Sequence, residues 1–161
     1  MAIAQPQERL APTLLTYEAY LSEGTIKRRY DIIDGVREFM NPTRRHQKLL
    51  GNLYELFRAY ERQAKTGEVV LAPCDVLIRY SPLRTRQPDL LYIGTERLAQ
   101  NPPQDDPQPL RPAPELVVEI LSPSDKPSVL DAKIADYCAV DVLECWLVRT
   151  CLLYTSDAAD E

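Results

Sequence analysis

The chain has 161 residues, 45% hydrophobic and 27% charged, with 19 Lys and Arg against 24 Asp and Glu. That length predicts one domain, and the composition argues against wholesale disorder. No apolar run approaches the roughly 20 residues of a membrane helix, and MAIAQPQERLAP lacks the basic start and apolar stretch of a signal peptide, so the expected location is cytoplasmic.

Cys74, Cys138, Cys145 and Cys151 share no CxxC spacing, and His46 is the only histidine. Neither a Cys/His zinc site nor a disulfide framework is expected. The last eleven residues, CLLYTSDAADE, break the pattern before them. Back-translated with suitable codons, they resemble a transposon-end adapter of sequencing libraries, which predicts a native chain running to about Thr150. Without Asp157, Asp160 and Glu161 the acidic count falls from 24 to 21 against 19 basic residues, and the net charge moves from −5 to −2. No partner is inferred from that acidity. The expected division is a flexible end over 1–13, one domain over 14–150 and a non-native tail over 151–161.

In chain order, Thr16 reads as the N-cap of a short helix, YEAYLSEG, that stops at Gly24. YDIIDGVREFM predicts two strands around Asp34-Gly35, a strong hairpin signal. From His46 to about Lys65, Leu49, Leu50, Leu53, Leu56, Phe57 and Tyr60 recur at helical spacing. EVVLAPCDVLIRY reads as a strand interrupted at Pro73, and PDLLYI as a short strand entered by a proline. Residues 100–114 carry six prolines and predict an irregular loop, either a substrate edge or a spacer. ELVVEIL is a buried strand, Ser128 and Asp131 resemble a capping box opening a helix to about Ala139, and LECWLV is a last strand. The order ββ-α-β-β-β-α-β predicts an α/β fold with a mixed central sheet and no internal repeat.

Two carboxylates stand out. Asp89 opens an apolar strand after Pro88, and Glu119 sits inside LVVEIL, where an unpaired carboxylate is costly to bury. On neighbouring strands the two can converge on one Mg²⁺, which takes one or two carboxylates and fills its shell with water and phosphate. The plain structural alternatives are an ion pair with Lys or Arg for Glu119 and strand-start chemistry for Asp89. Lys133 is the candidate third member if its helix packs back over the pair; otherwise it is a solvated surface lysine.

Strung together, YDIIDG, the His46-Gln47 pair opening a helix, PDLLYI, P-x-LVVEILSPS, K-x-x-x-Y and ECWLV resemble the Uma-two family of restriction endonucleases. The resemblance runs from about Leu14 to Val148, and its most specific stretch is Pro114 to Ser124. It implies a restriction-endonuclease-like core of the PD-(D/E)XK nuclease superfamily, a mixed central β-sheet flanked by helices, with the domain over 14–150 truncated at its C-terminal side. It further implies that Asp89 and Glu119 are catalytic and hold the metal, Mg²⁺ with Mn²⁺ as a substitute. The superfamily lysine falls here on Leu121, so Lys133 is implied to supply the amine from a shifted position. Asp31 stands where the family shows an acid in its first motif and is a further metal candidate, although turn chemistry beside Asp34 also explains it. Asp141-Val142 replaces a glycine-valine, and Cys145 replaces an aromatic residue; both depart from the family pattern away from the metal.

The implied activity is Mg²⁺-dependent hydrolysis of DNA phosphodiester bonds. His46 and Gln47 open the long helix, where free N–H groups favour a substrate phosphate, although a polar helix start explains His46 as well. Lys27-Arg28-Arg29, Arg44-Arg45 with Lys48, and Arg79, Arg84 and Arg86 bracket the acidic centre and suggest a DNA-facing rim. A solvated face explains each cluster taken singly. No recognition domain is apparent, so site specificity would need a homodimer or a partner. Two other readings stay open: an inactive nuclease-fold module that binds nucleic acid or protein, and a hydrolase of another phosphate ester.

Overall fold

A computed structural model describes residues 13–24, 26–101 and 108–149. The expectations for residues 1–12 and for the adapter-like tail fall outside them. Twelve elements follow in order: α1 (Tyr17–Ser22), β1 (Tyr30–Ile33), β2 (Val36–Phe39), α2 (Arg44–Ala64), β3 (Gly67–Leu71), β4 (Val76–Arg79), β5 (Arg84–Arg86), β6 (Leu90–Gly94), α3 (Thr95–Gln100), β7 (Leu116–Leu121), α4 (Pro127–Cys138) and β8 (Glu144–Arg149).

The strands form two four-stranded sheets. The first, in the order β2-β1-β5-β4, is antiparallel throughout. The second, β3-β6-β7-β8, is the expected mixed central sheet: β3, β6 and β7 run antiparallel and β8 joins β7 in parallel. The interruption at Pro73 is therefore a change of sheet. EVVLAPCDVLIRY splits into β3 in one sheet and β4 in the other, because proline supplies no N–H to continue a ladder.

Local chemistry explains most boundaries. Thr16 caps α1, its Oγ1 accepting from the Ala19 N–H at 3.2 Å. The Asp34-Gly35 turn joins β1 to β2 with φ of 51° and 81°, the left-handed pair that a two-residue hairpin requires. A Cβ on Gly35 would also come within 2.9 Å of Leu14 Cβ, so two constraints select glycine there. Thr43 caps α2, and Lys65 ends it in the left-handed region at φ 54°. The capping box expected at Ser128 and Asp131 is absent. Helix α4 starts two residues earlier, with Lys126 as N-cap and Pro127 at the first turn, where the missing proline N–H costs nothing.

The central sheet is covered on both faces, which is why LVVEIL reads as a nearly continuous apolar run. Its two-residue period sends Val118 and Ile120, with Leu90 and Val69, toward Leu50, Leu53 and Phe57 of α2. Val117, Leu91 and Ile93 pack on the other side with Tyr137 of α4. Glu119 is in phase with Val117 and so falls on the α4 side. Of the apolar stripe expected on α2, Leu56 and Tyr60 are exposed, lying at the edge of the helix contact. A smaller core of Tyr20, Tyr30, Ile32, Leu77 and Leu83 fills the first sheet. None of the described helices is long and apolar enough to cross a membrane.

Candidate active site

Strand pairing brings the two singled-out carboxylates together. Leu90 of β6 faces Val118 of β7, so Asp89, one residue earlier, stands opposite Glu119. Both are buried, at 1% and 3% exposure. Asp89 Oδ2 accepts from the Ile120 N–H at 2.6 Å, tying the aspartate to the neighbouring strand. Its Oδ1 faces His46 Nε2 at 2.9 Å and accepts from the Arg29 guanidinium. Glu119 Oε1 accepts from the Tyr137 hydroxyl at 2.6 Å, and Oε2 accepts from Lys133 Nζ at 3.0 Å. Helix α4 thus packs back over the pair, delivering Lys133 and Tyr137 one turn apart onto the same carboxylate.

The first sheet contributes a second layer. Asp31, on β1, accepts from Arg86 at 2.8 Å and from the Gln87 N–H at 2.9 Å, and lies 3.7 Å from Lys133 Nζ. Arg86, on β5, also reaches Asp136 of α4 at 2.6 Å, and Arg84 pairs with Asp136 at 3.0 Å and with Asp34 at 3.0 Å. Arg29, just before β1, spans both acids: it pairs with Asp89, lies 3.6 Å from Glu119 Oε2 and donates to the Gln87 carbonyl at 2.7 Å.

Burial and charge act in opposition here. Burial works to raise the Asp89 pKa, but the hydrogen bond from His46, the Arg29 charge and the Ile120 N–H together hold it below the usual carboxylate value. Burial raises the Glu119 pKa despite the opposing charges of Lys133 and Arg29. For Lys133 burial favours the neutral amine, yet the charges of Glu119 and Asp31 prevail and its pKa is raised. Burial and the Glu119 charge push the Tyr137 hydroxyl well above its ordinary value, so it stays a donor.

Asp31, His46, Asp89, Glu119 and Lys133 lie on the wall of a cleft of about 600 Å³. Gln47 is exposed on α2 and outside that wall. His46 is turned inward onto Asp89, while its Nδ1 is buried without a partner. The basic rim is smaller than the sequence suggests. Arg29, Arg84 and Arg86 are committed to aspartates within the fold, and Arg79 pairs with Asp34 at the surface, its side chain 47% exposed. Lys27, Arg28, Arg44, Arg45 and Lys48 remain exposed.

Among the described residues, no three His, Cys, Asp or Glu side chains are arranged to cage a metal. The donor set is nevertheless suited to Mg²⁺, which needs only one or two carboxylates beside water and phosphate. Asp89 Oδ1 and Glu119 Oε2 already turn toward one shared cation, the guanidinium of Arg29. The residues fit the metal provided that the guanidinium leaves.

Sequence reasoning misses Arg29, Asp136 and Gln87 as parts of this centre. The basic neighbours of Arg29 make it read as part of a surface cluster. For Asp136 and Arg86 the only sequence signal is Asp136 at the position before Tyr137 and the alternation Arg84, Arg86 leading into Pro88-Asp89.

A comparison with curated proteins gives no match. One similar solved structure is a crystal structure of "a putative nuclease" from Anabaena variabilis ATCC 29413, 15% identical, with a TM-score of 0.67 over 84% of this chain and 74% of that one. That likeness shows a restriction-endonuclease-like fold. The family model Uma2, described as "Putative restriction endonuclease", matches residues 16–158, which supports a nuclease function. The match spans most of the sequence: the chain belongs to the Uma2 family.

Proposed function

We propose that this chain is a divalent-cation-dependent endonuclease that hydrolyses phosphodiester bonds in DNA, with Mg²⁺ as its cation and Mn²⁺ as a substitute. The observation that carries the reading is the meeting of Asp89 and Glu119 from adjacent strands, with Lys133 Nζ 3.0 Å from Glu119, on the wall of an open cleft. When bound, the cation supplies polarisation of the phosphate and activation of water. Asp89 and Glu119 would hold it. Asp31 lies behind Arg86 and Lys133 and serves their alignment more directly than metal binding.

The chain's own groups do the rest. The Ile120 N–H and His46 fix the Asp89 carboxylate, and the Tyr137 hydroxyl fixes one oxygen of Glu119. Lys133, charged and nearly buried, can stabilise negative charge developing on the phosphate or orient the attacking water. It takes the part of the lysine that the superfamily carries two residues after the acid, where Leu121 stands.

A second reading, a nuclease-fold module that binds without cutting, draws on one specific observation. Asp31, Asp89, Glu119 and Asp136 are matched by Arg29, Arg84, Arg86 and Lys133, a centre electrically satisfied without metal. Cleavage assays on duplex DNA, single-stranded DNA and RNA separate the two. The nuclease reading predicts nicking of duplex DNA with Mg²⁺ or Mn²⁺ that stops on chelation. Nicking that survives chelation, or preference for RNA, would contradict it.

A further inference from the structure

Arg29 occupies the place where the two acids converge. Its guanidinium pairs with Asp89 Oδ1, stands 3.6 Å from Glu119 Oε2 and donates to the Gln87 carbonyl at 2.7 Å. A divalent ion held by the same two oxygens would sit against that positive group at a few ångströms, where like charges repel strongly in a poorly solvated setting. The charge balance points the same way. Four acids and four bases already cancel, so a dication leaves the centre at about +2 unless a base departs or a phosphate arrives.

Arg29 is built to be the base that departs. It precedes β1 and lies outside any regular element, unlike Arg84 and Arg86, which belong to β5. Its side chain is 11% exposed and lines the open cleft, whereas Arg86 is 5% exposed and clamped between Asp31 and Asp136. Its Nε is buried without a hydrogen-bond partner, so its seat is incompletely satisfied. Lys133 is anchored to a helix and touches only one of the two converging acids.

We propose that Arg29 is a resident cation of the acidic centre that competes with a divalent metal for Asp89 and Glu119 and must swing out into the cleft for the metal to bind. The inference rests on the metal-dependent reading above. It makes Arg29 a positioning residue that sets metal affinity and couples metal entry to the arrival of an anionic phosphate, which can receive the released guanidinium.

The test is binding of Mn²⁺ alone, without DNA, to the full chain by calorimetry. Arg29→Met retains the bulk and removes the charge, and is expected to bind Mn²⁺ at least about tenfold more tightly than wild type. Arg29→Lys, which keeps charge but cannot bridge both acids, is expected between them. Arg62→Met, on the exposed end of α2, controls for net charge and is expected to leave affinity unchanged. Should Arg29→Met fail to fold, the Arg29 side-chain Nε–H resonance of the wild type decides during an Mg²⁺ titration: it is expected to move toward the position of a solvated arginine in step with occupancy. Equal Mn²⁺ affinity in wild type and Arg29→Met, or an unmoved Arg29 resonance at saturation, would overturn the gate while leaving the nuclease reading standing. No Mn²⁺ binding by either protein at millimolar concentration would overturn the gate and the metal-dependent reading together.

Discussion

Lys133 carries the most chemistry per atom in this centre, because its amine neutralises Glu119 and faces Asp31 from a helix that shares no strand with either. Lys133→Ala is expected to lower kcat by about 10²- to 10³-fold, the scale of losing one charge-stabilising donor. It should also destabilise the fold by about 3 kcal/mol, since a buried carboxylate loses a paired charge. Lys133→Arg should recover stability more than rate, because a planar fork does not reproduce a point charge. Thermal melts and single-turnover cleavage separate the two effects. Asp75 offers a pH-dependent contrast, since it pairs with neither Asp89 nor Glu119 nor any of their bases. It is half-buried and its side chain receives only neutral donors, Tyr20 at 2.9 Å, Thr85 at 2.9 Å, Gln87 at 3.3 Å and Tyr30 at 3.5 Å. Burial raises its pKa above the ordinary 3.8, outweighing the hydrogen bonds from Tyr20, Thr85 and Gln87. A carboxyl raised in the folded state contributes stability that is complete below its unfolded pKa and is lost as pH rises through the folded pKa. The stability difference between wild type and Asp75→Asn should therefore shrink as pH rises from about 4 through the raised folded value. A constant difference over that range, measured by urea unfolding, would contradict the assignment.

At the scale of elements, α4 is the piece that turns a sheet into a site, and Asp136 docks it. The carboxylate receives Arg84 and Arg86 from β5, while Lys133 and Tyr137 on the same helix reach Glu119 on β7. Asp136→Ala should cost about 2 kcal/mol by leaving Arg84 and Arg86 with one carboxylate each, Asp34 and Asp31, in place of two. It should also reduce kcat with little change in KM, because Lys133 loses its bearing while the cleft stays open. A double-mutant cycle with Arg86→Met should recover part of the loss; full additivity would show that the docking acts elsewhere.

Much of this layer is legible in the sequence. Helical spacing identifies α2, Asp34-Gly35 identifies the hairpin, and a glutamate inside LVVEIL announces a buried acid that needs a partner. The start of α4 differs from its sequence reading because two competing signals lie within five residues, and Pro127 prevails over Ser128 and Asp131. The division of strands between two sheets is not legible, since an interruption at Pro73 looks the same whether the chain bulges or changes sheet. Strand β5 escapes a sequence reading because Arg84-Thr85-Arg86 has no apolar pattern; its burial comes from ion pairs that only the fold assembles.

For the whole molecule, the two sheets meet through an apolar cluster, Val76 of the first with Leu91, Ile93 and Val117 of the second, and through a polar seam. Asp31, Arg86 and Gln87 come from the first sheet or its exit, and Asp89 and Glu119 from the second. Basic residues that a linear reading assigns to a DNA-facing rim are drawn into that seam, because charge pairing across it depends on distances no local pattern records. Of the basic clusters, Lys27, Arg28, Arg44, Arg45 and Lys48 stay exposed and unpaired with an acid among the described residues, with Arg28 stacked 4.5 Å from the Phe39 ring. Specific recognition is thus expected to depend on the cleft more than on a broad cationic face.

The central claim is that the Asp89–Glu119 pair is the catalytic centre of a metal-dependent DNA nuclease. Glu119→Gln keeps the size and one acceptor oxygen of the side chain while removing its charge. The decisive measurement is conversion of supercoiled plasmid to open circles by wild type and Glu119→Gln in Mg²⁺, with circular dichroism confirming that both are folded. Nicking by the wild type, and none above background by the variant, is the expected result. Equal nicking by the two proteins, or a folded wild type that is inert in both Mg²⁺ and Mn²⁺, would contradict it.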